Sequence, residues 1–194
     1  MIFIYQIFLL FVKAEYVFIV TITVKTQATV PCSLYFLCTR IKETYSTARQ
    51  CNHTTTQVGR VLDWLSVASQ DVAADADLLR RHSISRILNV AAGIELAPYP
   101  GFIYCHAPVL DLPEEPLADV LPRCFEFLDQ AVDDGAGVLV HCNAGVSRSV
   151  SVVVAYLMSR RRMPFQEALD AVRAVRPAAK PNDGFLRQLK NYRP

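Results

Sequence analysis

The chain has 194 residues, 52% of them hydrophobic and 20% charged, which suits one packed domain with an additional segment. A formal net charge of +2 argues against a dedicated polyanion binder. Residues 1–56 carry five Lys/Arg and two Asp/Glu while residues 57–194 carry fifteen and sixteen, so the second part is close to neutral and offers no basic stripe to a nucleic acid.

Nineteen of residues 1–24 are apolar, interrupted by Gln6, Lys13, Glu15, Thr21 and Thr23. No basic segment precedes the apolar run and no small-residue cleavage site follows it. Its apolar side chains gain roughly 0.3–0.6 kcal/mol each in a bilayer, while Lys13 and Glu15 cost about 2.5–3.5 kcal/mol each near the centre, so the two contributions nearly cancel. The β-branched run Val17–Val24 reads as a strand. Residues 1–56 are expected to be an N-terminal extension of undefined role, with membrane contact through residues 1–24 as one reading, and the polar stretch 41–56 reads as a linker. Cys32, Cys38, Cys51 and His53 match no compact zinc-ligand spacing.

A second domain is expected over residues 57–194, where helical and strand patterns alternate. Asp75–Arg81 reads as a short helix, Ile84–Val90 as a strand ending at a turn near Gly93, and Phe102–Cys105 as another strand. Pro113, Glu114, Glu115 and Pro116 mark a loop. Leu121, Phe125, Leu128 and Val132 recur at helical spacing, and Asp133, Asp134, Gly135 and Gly137 end that helix. Val138-Leu139-Val140 is a short apolar run suited to a buried central strand. Ser149–Met158 is helical, with Arg160, Arg161 and Arg162 at its end, where cations complement the helix dipole. Pro164 opens a further helix over Phe165–Val175 and Pro177 follows it; Asn182 caps a last one over Asp183–Leu189.

The chemistry concentrates in Val138-Leu139-Val140-His141-Cys142-Asn143-Ala144-Gly145-Val146-Ser147-Arg148-Ser149, a strand, a tight loop and a helix start. In such a loop the backbone N–H groups of Asn143, Ala144, Gly145, Val146 and Ser147 can converge on an anion at the positive end of the helix dipole. Gly145 permits the torsion or close approach this requires. The same field favours the thiolate of Cys142, the nucleophilic form. Arg148 supplies a planar donor pair to two phosphoryl oxygens, which lysine cannot match. Of the other cysteines, Cys105 and Cys124 read as core residues.

Cys142 and Arg148 bracket five residues, and the wording His-Cys-Asn-Ala-Gly-Val-Ser-Arg-Ser closely resembles the active-site loop of the cysteine-based protein tyrosine phosphatase superfamily, in its dual-specificity branch. The resemblance runs over about residues 57–193 and includes Leu88-Asn89-Val90-Ala91, Leu110-Asp111-Leu112-Pro113 and Lys180-Pro181-Asn182-Asp183-Gly184-Phe185-Leu186-Arg187-Gln188-Leu189. The chain looks most like the small atypical members, one of which is linked to stress-activated kinase pathways. The family often has Gly where Ala68 stands and Tyr where Ala92 stands, positions that carry no chemistry.

The resemblance implies an α/β fold, a central mixed sheet flanked by helices. It implies a metal-free, cofactor-free protein phosphatase acting on phosphotyrosine and on phosphoserine or phosphothreonine in a phosphoprotein, a MAP kinase pathway member among the candidates. Cys142 would be the nucleophile, Arg148 the phosphoryl ligand and Asp111, thirty-one residues earlier, the general acid and then base. Read without the family, Asp111 is equally a turn residue or a helix cap, and Glu114, Glu115 and Asp119 are rivals for the acid. Ser149 would donate to the sulfur, or cap the helix, or do both; His141 would buttress the loop, and Asn182 would support it. A catalytic thiolate implies a reducing, cytoplasmic setting, the N-terminal segment leaving membrane anchoring open. Uncharged Asn143, Ala144, Val146 and Ser147 disfavour a lipid head group as substrate, near-neutrality disfavours RNA 5′-phosphates, and the presence of Cys142, Arg148 and Asp111 disfavours a phosphate-binding pseudoenzyme.

Overall fold

A computed structural model describes residues 4–13, 16–25, 57–93 and 98–193. Contacts divide the chain into two units, Met1–Cys51 and Asn52–Pro194. In the first, β1 (Ile4–Lys13) and β2 (Tyr16–Lys25) pair antiparallel, from Ile4 opposite Lys25 to Lys13 opposite Tyr16. The strand expected at Val17–Val24 thus lies inside β2, while β1 was unforeseen because its continuous apolar run carries no period that separates strand from helix. Among the described residues no helix is long and apolar enough to cross a membrane. Cys32, Cys38, Cys51 and His53 and the stretch read as a linker lie outside the described residues.

The second unit is built on a five-stranded mixed sheet. Its strands are β3 (Gly59–Arg60), β4 (Leu65–Ala68), β5 (Ile84–Ala91), β6 (Ile103–Val109) and β7 (Gly137–His141), in the order β3-β4-β7-β5-β6. β3 is antiparallel to β4 and all other pairings are parallel. Side chains alternate between two cores. Val138, Val140, Leu88 and Val90 face one, and Leu139 and Ile87 face the other. Each is fully buried, a gain of roughly 1.5–3 kcal/mol per side chain.

Two short helices, α1 (Gln70–Ala73) and α2 (Ala76–Arg81), cover the second core through Val72, Ala73 and Leu79. The Asp75 carboxylate accepts from the Leu78 N–H and caps α2. The first core is covered by α3 (Leu121–Asp133), α4 (Arg148–Arg160), α5 (Phe165–Val175) and α6 (Asp183–Asn191). α4 is buried without a break from Ser149 to Met158, which marks it as the central helix of that layer. At its end Arg160 does more than complement a dipole, for its guanidinium grips Asp129 of α3. In α6 the Asn182 carbonyl oxygen accepts from the Phe185 N–H at 2.9 Å, the cap the sequence predicts.

Three expectations need correction. Ser149 does not cap α4: the helix starts at Arg148, and the flanking Ser147 makes no side-chain cap bond. The strand expected at Phe102–Cys105 continues to Val109 through Pro108, tolerated because β6 is an edge strand whose pairing with β5 shifts register between Asn89 and Ala91. Gly137 opens β7, and a Cβ there would lie 2.1 Å from the Ser83 carbonyl oxygen.

Candidate active site

β7 delivers the chain to Cys142, and α4 begins six residues later at Arg148. Each carbonyl of the intervening loop is taken by a donor outside it. The Gln70 N–H donates to Asn143 O at 3.0 Å and the Lys180 N–H to Val146 O at 2.8 Å. The Arg176 guanidinium donates to Ala144 O at 2.8 Å and to Gly145 O at 2.5 Å. Ser147 O accepts from the N–H and the hydroxyl of Ser151. A trans peptide plane turns the following N–H the opposite way. With these carbonyls drawn outward, the amides of Ala144, Gly145, Val146, Ser147 and Arg148 face the concave side. The result is an anion cradle at the start of α4. Gly145 sits at φ 66°. A Cβ on it would lie 2.4 Å from Ala68 O, so both torsion and space call for glycine.

The Cys142 side chain is buried, and its Sγ lies 3.3 Å from the Ser149 hydroxyl. Ser149 therefore meets the sulfur from the first turn of α4. The Arg148 guanidinium donates to Val109 O at 3.2 Å, and its Nε stands 3.7 Å from Asp111 Oδ2. Asp111 follows β6, and its carboxylate is half exposed. Its Oδ1 accepts from the Ser147 hydroxyl at 2.6 Å and from the Asn182 amide at 2.8 Å. The Asn182 N–H donates in turn to the Ser147 oxygen at 3.0 Å. Because Asn182 spends its own carbonyl oxygen on the Phe185 N–H, its NH2 group is the end left for Asp111. Among the rival carboxylates, Glu115 accepts from the Leu110 N–H instead.

His141 is fully buried, with Nδ1 3.3 Å from Cys142 O. Burial, with His106 as a lesser contributor, pushes it down to about 4, which favours the neutral ring. Burial also pushes the Cys124 thiol up to about 12, as befits a core residue. Among the described residues no three His, Cys, Asp or Glu side chains converge on a metal site. The N–H and guanidinium donors at the loop suit an oxyanion acceptor.

The structure brings Cys142, Arg148, Asp111, Ser149, Ser147, His141 and Asn182 to one place. Sequence reasoning missed Arg176, which it did not single out. A signal was present: Arg176 comes four residues after Val172 and seven after Leu169, both on the buried stripe of α5, and directly follows the helix end. Ser147 was expected to contribute only its backbone N–H to the cradle, and the bond of its hydroxyl to Asp111 depends on a contact 36 residues apart in sequence.

Residues 65–194 match the family model described as the dual specificity phosphatase catalytic domain. Dual specificity protein phosphatase 19 of Mus musculus is 46% identical over 136 residues, which cover 70% of this chain and 62% of that protein. Dual specificity protein phosphatase 1B of Arabidopsis thaliana is 42% identical over 129 residues, covering 66% of this chain and 77% of that protein. Among solved structures, a mouse putative dual specificity phosphatase complexed with zinc tungstate superposes with a TM-score of 0.67 at 35% identity, covering 73% of this chain and 89% of the other.

Proposed function

The chain belongs to the dual specificity phosphatase family through its catalytic domain, and we propose that it hydrolyses phosphotyrosine and phosphoserine or phosphothreonine in a phosphoprotein through a phosphocysteine. The observation that carries this reading is the Cys142 sulfur beside the Ser149 hydroxyl, under a loop whose carbonyls are all engaged outward.

In the first step the Cys142 thiolate forms a bond to phosphorus while the ester P–O bond breaks, and the electron pair of that bond leaves with the substrate oxygen. Asp111 delivers a proton to that oxygen. Oδ1 is occupied by two donors, which leaves Oδ2 to carry the proton. The loop amides and the Arg148 fork hold the three non-bridging oxygens throughout. In the second step a water oxygen bonds to phosphorus, its proton passes to Asp111, and the S–P bond breaks. The Ser149 hydroxyl donates to the departing sulfur at the distance found here, 3.3 Å. Tungstate, the tetrahedral oxyanion in the mouse neighbour, has the shape and charge this cradle accepts.

A free thiolate nucleophile supports a reducing, cytoplasmic setting. A MAP kinase pathway member as the phosphoprotein rests on the resemblance of the sequence alone, and membrane contact through residues 1–24 rests on their apolar composition.

The test is turnover of an aryl phosphate in the presence of a chelator. The wild type turns over, Cys142→Ser loses activity by at least about 10⁴-fold, and the variant still binds phosphopeptide. Undiminished activity in Cys142→Ser would remove the nucleophile from this account.

A further inference from the structure

We propose that Arg176 is a positioning residue for the phosphatase reaction, holding the amides of the phosphate cradle in their anion-binding orientation from behind the loop. The proposal rests on the reading of that loop as the phosphoryl site.

Arg176 follows α5 and is only 2% exposed, yet carries a full guanidinium into the core. A buried cation is costly unless its donors are all met. Among the described residues no carboxylate pairs with it. Its hydrogen-bond partners are three backbone carbonyls: Gly145 O at 2.5 Å, Ala144 O at 2.8 Å and Gln57 O at 2.8 Å. Leu169 and Val172, buried residues of the preceding helix, are hydrocarbon, so packing alone does not call for a cation here.

The fork geometry explains the choice. Nε and one terminal nitrogen reach successive carbonyls of the loop, while the other terminal nitrogen is anchored outside it on Gln57. Pinning the Ala144 and Gly145 carbonyls outward fixes the Gly145 and Val146 N–H groups inward. These peptide planes flank the glycine at φ 66°, the point in the loop where rotation is least hindered by a side chain. A plane turned over would present a carbonyl oxygen to the phosphoryl group. Charge acts in the same sense: burial pulls the Arg176 guanidinium down, and interaction with Cys142 opposes that pull and favours the cation. Arg176 touches no substrate atom in this scheme and works through the cradle.

Two full-length variants and one wild-type measurement test this. Arg176→Met removes fork and charge; kcat/KM for an aryl phosphate should fall by about 10²-fold or more, the loss of an oxyanion-hole donor or two. The inhibition constant of tungstate should rise in parallel, because the same amides bind both. Arg176→Lys keeps the charge with one nitrogen; it should regain part of the tungstate binding and stay at least about 10-fold below the wild type in kcat/KM. A folded Arg176→Met protein with wild-type turnover and wild-type tungstate inhibition would overturn the proposal. If the methionine variant fails to fold, the wild type labelled at arginine supplies the second readout. The slowly exchanging Nε–H resonance of the buried arginine should shift when tungstate saturates the site, and an unmoved resonance would likewise overturn the proposal. A wild type that does not hydrolyse aryl phosphate would sink the phosphatase reading itself, whereas an active wild type with an unaffected methionine variant sinks only the role of Arg176.

Discussion

His141 stands directly before Cys142 and has no access to water. Its Nδ1 is near Cys142 O and its Nε2 has no hydrogen-bond partner among the described residues. Burial is the main cause that takes its folded-state value down to about 4, from an ordinary 6.5. The unfolded chain therefore takes up a proton as pH falls through the ordinary range, and the folded chain does not until about 4. Stability from this residue is complete above the ordinary value and drains away between the two. At pH 5 the loss relative to neutral pH is about 2 kcal/mol. Urea unfolding of the wild type at the two pH values should show it, and His141→Gln should lack that component. Equal pH sensitivity in both proteins would mean that His141 titrates alike in the folded and unfolded chains. The residue-scale reading of the sequence was most specific where chemistry dictates identity. A nucleophilic thiolate, a planar fork and a glycine at a tight turn are residue types few other roles require together. It failed at Arg176, because an arginine after a helix has an ordinary solvated explanation and the carbonyls that claim it lie more than thirty residues away in sequence.

At the scale of elements, α6 and the loop that carries Asp111 are tied together. The Gln188 side chain accepts from the Leu117 N–H and donates to Glu115 O, both at 2.8 Å. Asn182, the cap of α6, donates to Asp111. Gly184 lies so close to the loop that a Cβ on it would be 1.8 Å from Pro113 O. Alanine in place of a helical glycine ordinarily stabilises by about 1 kcal/mol, so any loss in Gly184→Ala must come from this contact. The substitution should push the Pro113 segment, and Asp111 with it, away from the cradle. We expect kcat on a phosphoserine peptide to fall by about 10-fold or more, since its leaving group needs the proton, and a smaller fall on an aryl phosphate whose leaving group needs it less. Steady-state kinetics on the two substrates decide; equal losses would detach Gly184 from the acid. Elements were legible in the sequence where they were long or bounded by strong stops. α3, α5 and α6 show periodic apolar faces between prolines, glycines and a cap. β3, β4 and α1 span two to four residues each, too few to show a period.

At the scale of the molecule, the parallel strands bring separate pieces of chemistry to one edge. In the pairing register Ala68 of β4 and Asn89 of β5 stand beside His141 of β7, and Val109 of β6 stands beside Ala91. Cys142 leaves the carboxyl end of β7, and Asp111 lies two residues past the carboxyl end of β6. Ala68, at the same end of β4, backs Gly145. Open α/β sheets place ligands outside the carboxyl ends of their strands for this reason. Alternating helix and strand patterns made the fold class legible. The strand order was not, because it depends on pairings between segments distant in sequence. The N-terminal extension offered only composition, from which β1 could not be read.

The central claim is that the Cys142 sulfur carries the phosphoryl group between two half-reactions. Rapid acid quench of the wild type with an aryl phosphate, followed by digestion and mass analysis, tests it directly. The account predicts a transient phosphoryl group on the peptide containing Cys142, formed at the rate of the leaving-group burst and consumed at the rate of phosphate release. Steady turnover with no phosphorylated enzyme, or with the phosphoryl group on another residue, would contradict it.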